Sequence, residues 1–243
     1  MKLLKKWAVC FIAAITFSAL ILMLGNSGTI AWFPPPVVFS LVAISLVVLL
    51  IYPFVWQWRE KNGKADTKRI YGFLYALIRY CVAFNIASFG WKKIFGLQFN
   101  VPSSIAVMPM NQQSGEWLTW YYYGYSHVFG VIVAIMQIGG SFLLLFRRTL
   151  LLGVVLSLPV MLNIALINIF YNMNAGALLQ SVVLAVALIF LLLSEYKKLI
   201  AFFLHTSSSL PSIKSNSITL KTTLRFSAIV LSLLFAVYLR VRM

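Results

Sequence analysis

Apolar residues come in long unbroken runs along this chain, separated by short basic or proline-bearing segments. Seven runs, at 7–25, 36–56, 70–90, 128–146, 150–170, 177–194 and 224–239, are long enough as helices to cross a hydrocarbon core of about 30 Å. A segment in hydrocarbon has to satisfy its own backbone, so the pattern predicts an all-α polytopic transmembrane bundle of about seven spans. Composition points the same way. Hydrophobic residues make up 62% of the 243, charged residues only 10%, and mean hydropathy is +0.94. A soluble domain carries about 25% charged residues.

The net charge is +16, from 20 Lys and Arg against 4 Asp and Glu. No basic stripe with interleaved aromatics accompanies that charge, so nucleic acid is not an expected partner. Its distribution reads instead as the positive-inside rule and contact with anionic lipid. With the N-terminus in the cytoplasm, fifteen Lys and Arg fall inside and four fall outside, namely Lys92, Lys93, Arg240 and Arg242; Arg79 lies within a span. The expected setting is therefore the bilayer of a bacterial cytoplasmic membrane. All seven tryptophans sit at or beyond the ends of spans, as indoles do at headgroup level. The first span could be a signal peptide, with Thr29-Ile30-Ala31 as a weak cleavage site. Its length favours a retained anchor.

Two connections are long. Segment 91–126, outside, holds Trp117, Trp120, Tyr121, Tyr122, Tyr123 and Tyr125. It is too aromatic for a free linker and is expected to pack on or dip into the membrane. Segment 195–223, inside, is rich in Ser and Thr and reads as a solvated linker. The expected organisation is 1–69, two spans and a basic loop; 70–199, a four-helix core; and 200–243, a linker and a last span.

Intramembrane polar groups are costly and are the default functional candidates. Arg79 is the strongest, since no span offers it a carboxylate. It faces a ligand or water-filled cavity, snorkels to the headgroups, or is satisfied by backbone carbonyls. Gln137, Asn163 and Asn168, with Tyr171 at a span's outer end, could shape a polar pocket for a quinone or lipid head, or serve as interhelical packing glue. Gly139-Gly140-Ser141 allows close helix approach, and Pro159 is placed to kink the fifth span. Cys10 and Cys81 lie in different spans without a partner motif, and His127 and His205 are far apart, so no metal site is expected. No catalytic set is evident, and no proton relay can run without carboxylates in the spans.

Several stretches carry a family likeness: RYCVAFNIASFGWKK at 79–93 with IFGLQF after it, WYYYGYS at 120–126, QIGGSFLLLFRRTLLLG at 137–153 and NIALINIFY at 163–171. Through these, 71–199 resembles the DoxX-like family of bacterial membrane proteins. The resemblance implies a four-helix core with spans one, two and seven added. Against the family pattern, Gln137 replaces Glu, Asn172 replaces Asp and Gly176 replaces Lys, which puts charge-dependent chemistry in doubt. Some members are linked to quinone-coupled sulfur oxidation or membrane redox complexes. The expected function is then an accessory, non-catalytic subunit that binds a lipid, a quinone or a partner protein. The alternatives are a quinone-linked oxidoreductase and a small transporter.

Overall fold

The computed structural model describes residues 1–26, 30–205 and 218–242. Among them every regular element is a helix: α1 Leu3–Gly25, α2 Pro35–Lys61, α3 Thr67–Ile94, α4 Ser103–Ala106, α5 Gly115–Gly124, α6 His127–Leu145, α7 Leu150–Phe170, α8 Ala175–Ser194, α9 Tyr196–Ile200 and α10 Ile218–Arg242. Six of them, α1, α2, α3, α6, α7 and α8, are long and apolar enough to cross a membrane. The protein is a helical membrane bundle. The seventh expected span, 224–239, falls within the single helix α10 but is not among these six.

The chain divides into two units, Met1–Leu199 and Ile200–Met243. The second holds a π-helical turn, Ala201–His205, and α10. Most of the expected hydroxyl-rich linker, 206–217, and Thr29 of the weak cleavage site lie outside the described residues.

Within the first unit, α3, α6, α7 and α8 pack as a ring, each against the next and α8 back against α3. The first span is an inner helix of this unit rather than an addition to its margin. α1 sits against both α3 and α8 and is 61% buried across its span, against 17% for α2. α2 packs on α1 from outside, and its Phe39, Ile44, Val48 and Ile51 stay exposed, as lipid-facing side chains do.

Local chemistry sets the helix ends. Asp66 caps α3 by accepting from the amides of Lys68 and Arg69, at 3.0 and 3.1 Å. Ser114, Ser126 and Asn174 cap α5, α6 and α8 in the same way. One polar knot ties α1, α2 and α3 together. Fully buried Lys6 donates to Gln57 Oε1 at 2.6 Å and pairs with Glu60, which also accepts from the Thr67 hydroxyl and the N-terminal amine. Trp56 is buried among these groups, and its indole N–H donates to Thr67 Oγ1 at 3.3 Å.

α6 and α7 meet most closely near their shared turn. A Cβ at Gly140 would collide with Ser157 Oγ, and one at Gly153 would stand 2.8 Å from Leu144 N. Small residues here let the two backbones touch. Gly139 faces open space, so the close approach belongs to Gly140 alone of that pair.

Arg79 holds the same end of α6 from the other side. Its Nε and Nη2 donate to Leu144 O at 3.0 and 2.9 Å, and Nη2 also reaches Leu145 O at 2.7 Å. The last carbonyls of a helix have no intrahelical partner, and hydrocarbon supplies none. A guanidinium forked over two of them answers both needs. Arg79→Met should therefore cost about 2–3 kcal/mol, the worth of a charge-assisted bond plus orphaned carbonyls. Thermal unfolding in detergent should show a clearly lowered midpoint. A wild-type midpoint would mean that something else secures α6.

Candidate ligand cavity

Beyond the Gly140–Gly153 contact, α6 and α7 frame an opening. A cavity of about 490 Å³ lies between α3, α5, α6, α7 and α8, within the usual size of small-molecule sites, roughly 300–1,000 Å³. Its inner wall carries Gln137, Met161, Ile164, Asn168 and Ser181. Its outer wall is aromatic, with Phe89, Phe99, Trp120, Tyr122, Tyr123 and Phe129. Met136 of α6 and Asn163 of α7 line it and are exposed in mid-helix. That places a side opening where the bilayer would be.

The aromatic connection 91–126 supplies the roof. Gly115, at the start of α5, fits against the backbone of Tyr171, where a Cβ would lie 2.7 Å from its carbonyl oxygen. Asn174 Nδ2 donates to Glu116 Oε1 at 3.3 Å, so α5 is fixed to the α7–α8 turn. Phe99 stacks on Tyr123 with centroids 5.0 Å apart and meets Trp120 edge-on at 6.1 Å. Phe99 has φ +67, a conformation bulky residues rarely adopt. The strained backbone sets its ring into the cavity wall. Burial, with Tyr122 beside it, raises the Tyr123 phenol above its usual range, so it stays a neutral donor.

Three of the five candidate residues meet in this cavity. Gln137 is 1% exposed, and neither its oxygen nor its nitrogen has a hydrogen-bond partner. Leaving such a group unpaired costs about 1–3 kcal/mol. Asn168 is partnered, with Nδ2 donating to Ala177 O at 2.9 Å and to Ser181 Oγ at 2.8 Å, which joins α7 to α8. Asn163 stands at the opening.

The other two candidates do not belong. Arg79 lies ten residues, about 15 Å of helix, from Phe89, the nearer of the two α3 residues that line the cavity, and its guanidinium is taken up by the α6 carbonyls. Tyr171 is 47% exposed, because α7 ends at Phe170 and the turn carries the ring away.

Lys93, which entered the sequence analysis only as one of the charges on the outer side, is a cavity residue as well. It is 9% exposed and lines the cavity. Its Nζ donates to Gln98 Oε1 at 3.1 Å and to Phe89 O at 3.3 Å, and stands 5.5 Å from the centre of the Phe99 ring. The signal was in the spacing. Arg79, Val82, Ile86, Gly90 and Lys93 follow one another by three or four residues, and all are buried.

The chain is 32% identical over 131 residues to Uncharacterized protein YwoB of Bacillus subtilis, an alignment covering 53% of this chain and 80% of that one. The chain belongs to the same family as that protein. No protein-family model and no solved structure matches it.

Gln137→Leu removes the unpaired amide from the inner wall. The ligand-free, delipidated variant should unfold at the wild-type temperature or a few degrees above it in a thermal melt. A drop of several degrees would show that the amide is already satisfied in the folded bundle.

Proposed function

We propose that this protein is a non-catalytic membrane subunit that binds an amphiphilic small molecule, a lipid or a quinone, in the cavity between α3, α5, α6, α7 and α8. The observation that carries the reading is Gln137, a complete amide buried in hydrocarbon with no protein partner, aimed at a cavity. A buried polar group is ordinarily paired, so an absent partner is best supplied by a ligand. A carbonyl, hydroxyl or ester of the ligand would pair with the amide. The apolar body would lie against Met161, Ile164 and Ile167. The mid-helix opening at Met136 and Asn163 favours a ligand that arrives through the bilayer.

The chain's basic residues support a cytoplasmic N-terminus, with the roof over the cavity on the far side. The relative is a Bacillus subtilis protein, which supports a bacterial setting. The likeness to DoxX-like proteins belongs to the same reading and adds a membrane redox complex as a candidate partner. Conversion of the ligand is not part of it, because the residues lining the cavity include no carboxylate, cysteine or histidine.

Mass spectrometry of small molecules extracted from the protein in native-lipid nanodiscs tests this reading. One lipid or quinone should be enriched several-fold over an unrelated membrane protein. Gln137→Leu and the cavity-filling Met161→Trp should each lose that enrichment while remaining folded. The same molecules at background level in the wild type would contradict it.

A further inference from the structure

We infer that the molecule held in this cavity is an amphiphilic anion, with a phosphate or carboxylate head seated at Lys93 and its apolar chain running past Gln137 to the side opening at Met136 and Asn163. The inference rests on the binding role proposed above and names the class of ligand. Among the residues that line the cavity, Lys93 carries the only formal charge. An ammonium sealed among Phe89, Phe99 and neighbouring helices has lost most of its hydration, and such a cation is costly unless paired. Its partners are two neutral oxygens and a ring face. No described carboxylate lies within ion-pair distance of it. The carboxylate nearest the roof, Glu116, is instead engaged with Asn174.

The helix register sets the spacing. Gly90 packs on Ala134 and Ile138, so in this antiparallel pair Lys93 stands about one turn, roughly 5 Å, farther toward the roof than Gln137. A single head group with a short polar linkage spans that interval. The charge then meets Lys93, and an ester, hydroxyl or ether oxygen meets the Gln137 amide. Beside Gln137 the wall is apolar at Met136, Val160, Met161 and Ile164, which suits a hydrocarbon chain leaving through the side opening.

Delipidated protein in a non-ionic detergent is titrated with hexadecyl phosphate, palmitate and hexadecanol, which carry chains of equal length, and with inorganic phosphate, which has no chain. Binding is read by native mass spectrometry. At least one of the two anionic amphiphiles should bind about tenfold or more tighter than hexadecanol, from one charge-assisted hydrogen bond. Inorganic phosphate should neither bind nor compete. Lys93→Met should abolish the preference for the anion and keep hexadecanol binding, and Lys93→Arg should restore the preference. Hexadecanol binding as tightly as both anions to the wild type would overturn the anionic class and leave the cavity reading standing. No binding of any amphiphile to the folded wild type would overturn the cavity reading itself. Displacement of hexadecyl phosphate by equal concentrations of inorganic phosphate would mark a site for the free anion, and would overturn the amphiphile.

Discussion

Hydrocarbon offers a polar atom no hydrogen bond, so each polar group in this bundle has to find its partner in the protein. Most of them do. Arg79 is forked over the last carbonyls of α6. Gln180 donates to Ala19 O and so fastens α8 to α1. Asn168 joins α7 to α8, and Ser18 meets Ser45 between α1 and α2. Each contact fixes a helix pair that apolar packing against an equally apolar lipid would leave loosely specified. Against that rule the exceptions carry information. The Tyr75 and Ser157 hydroxyls are buried without partners, but neither lines the cavity. Gln137 has two unpaired atoms and does line it.

The cavity follows from how the bundle is closed. At one end Gly140 and Gly153 let α6 and α7 touch, while Arg79 fixes the α6 terminus against α3. Farther along, side chains of ordinary size hold the same helices apart. At the other end the segment between α3 and α6 folds back as α5 and docks on the α7–α8 turn through Gly115 and Glu116. Backbone contact below and an aromatic layer above bound the space between them.

Much of this was legible in hydropathy alone. The six long helices stand where the apolar runs predict, with ends extended by a few residues where Asp66 and other caps add turns. Gln137, Asn163 and Asn168 were legible as costly intramembrane amides, pocket lining or packing glue alike; all three line one cavity, and Asn168 also bridges α7 to α8. Arg79 was legible as buried. Its partners were not, because backbone carbonyls at a helix end leave no mark in sequence. Tyr171 was legible as the outer end of its span, but the direction of its ring was not, because the turn that follows α7 sets it. Lys93 was legible as an outer-side charge but not as a buried one, because a lysine at a span's end ordinarily reaches the headgroups. The buried stripe from Arg79 through Gly90 marked it as an inner residue. That α1 belongs inside the bundle had no sequence signal, since every span is apolar all round.

The most direct test of the account is an experimental density map of the protein purified with its native lipid. The account predicts an elongated feature in the cavity, with its broad end within hydrogen-bond distance of Lys93 Nζ, one polar atom at Gln137 and a tail toward the opening at Met136 and Asn163. A cavity collapsed onto repacked side chains, with the Gln137 amide bonded to protein, would contradict it.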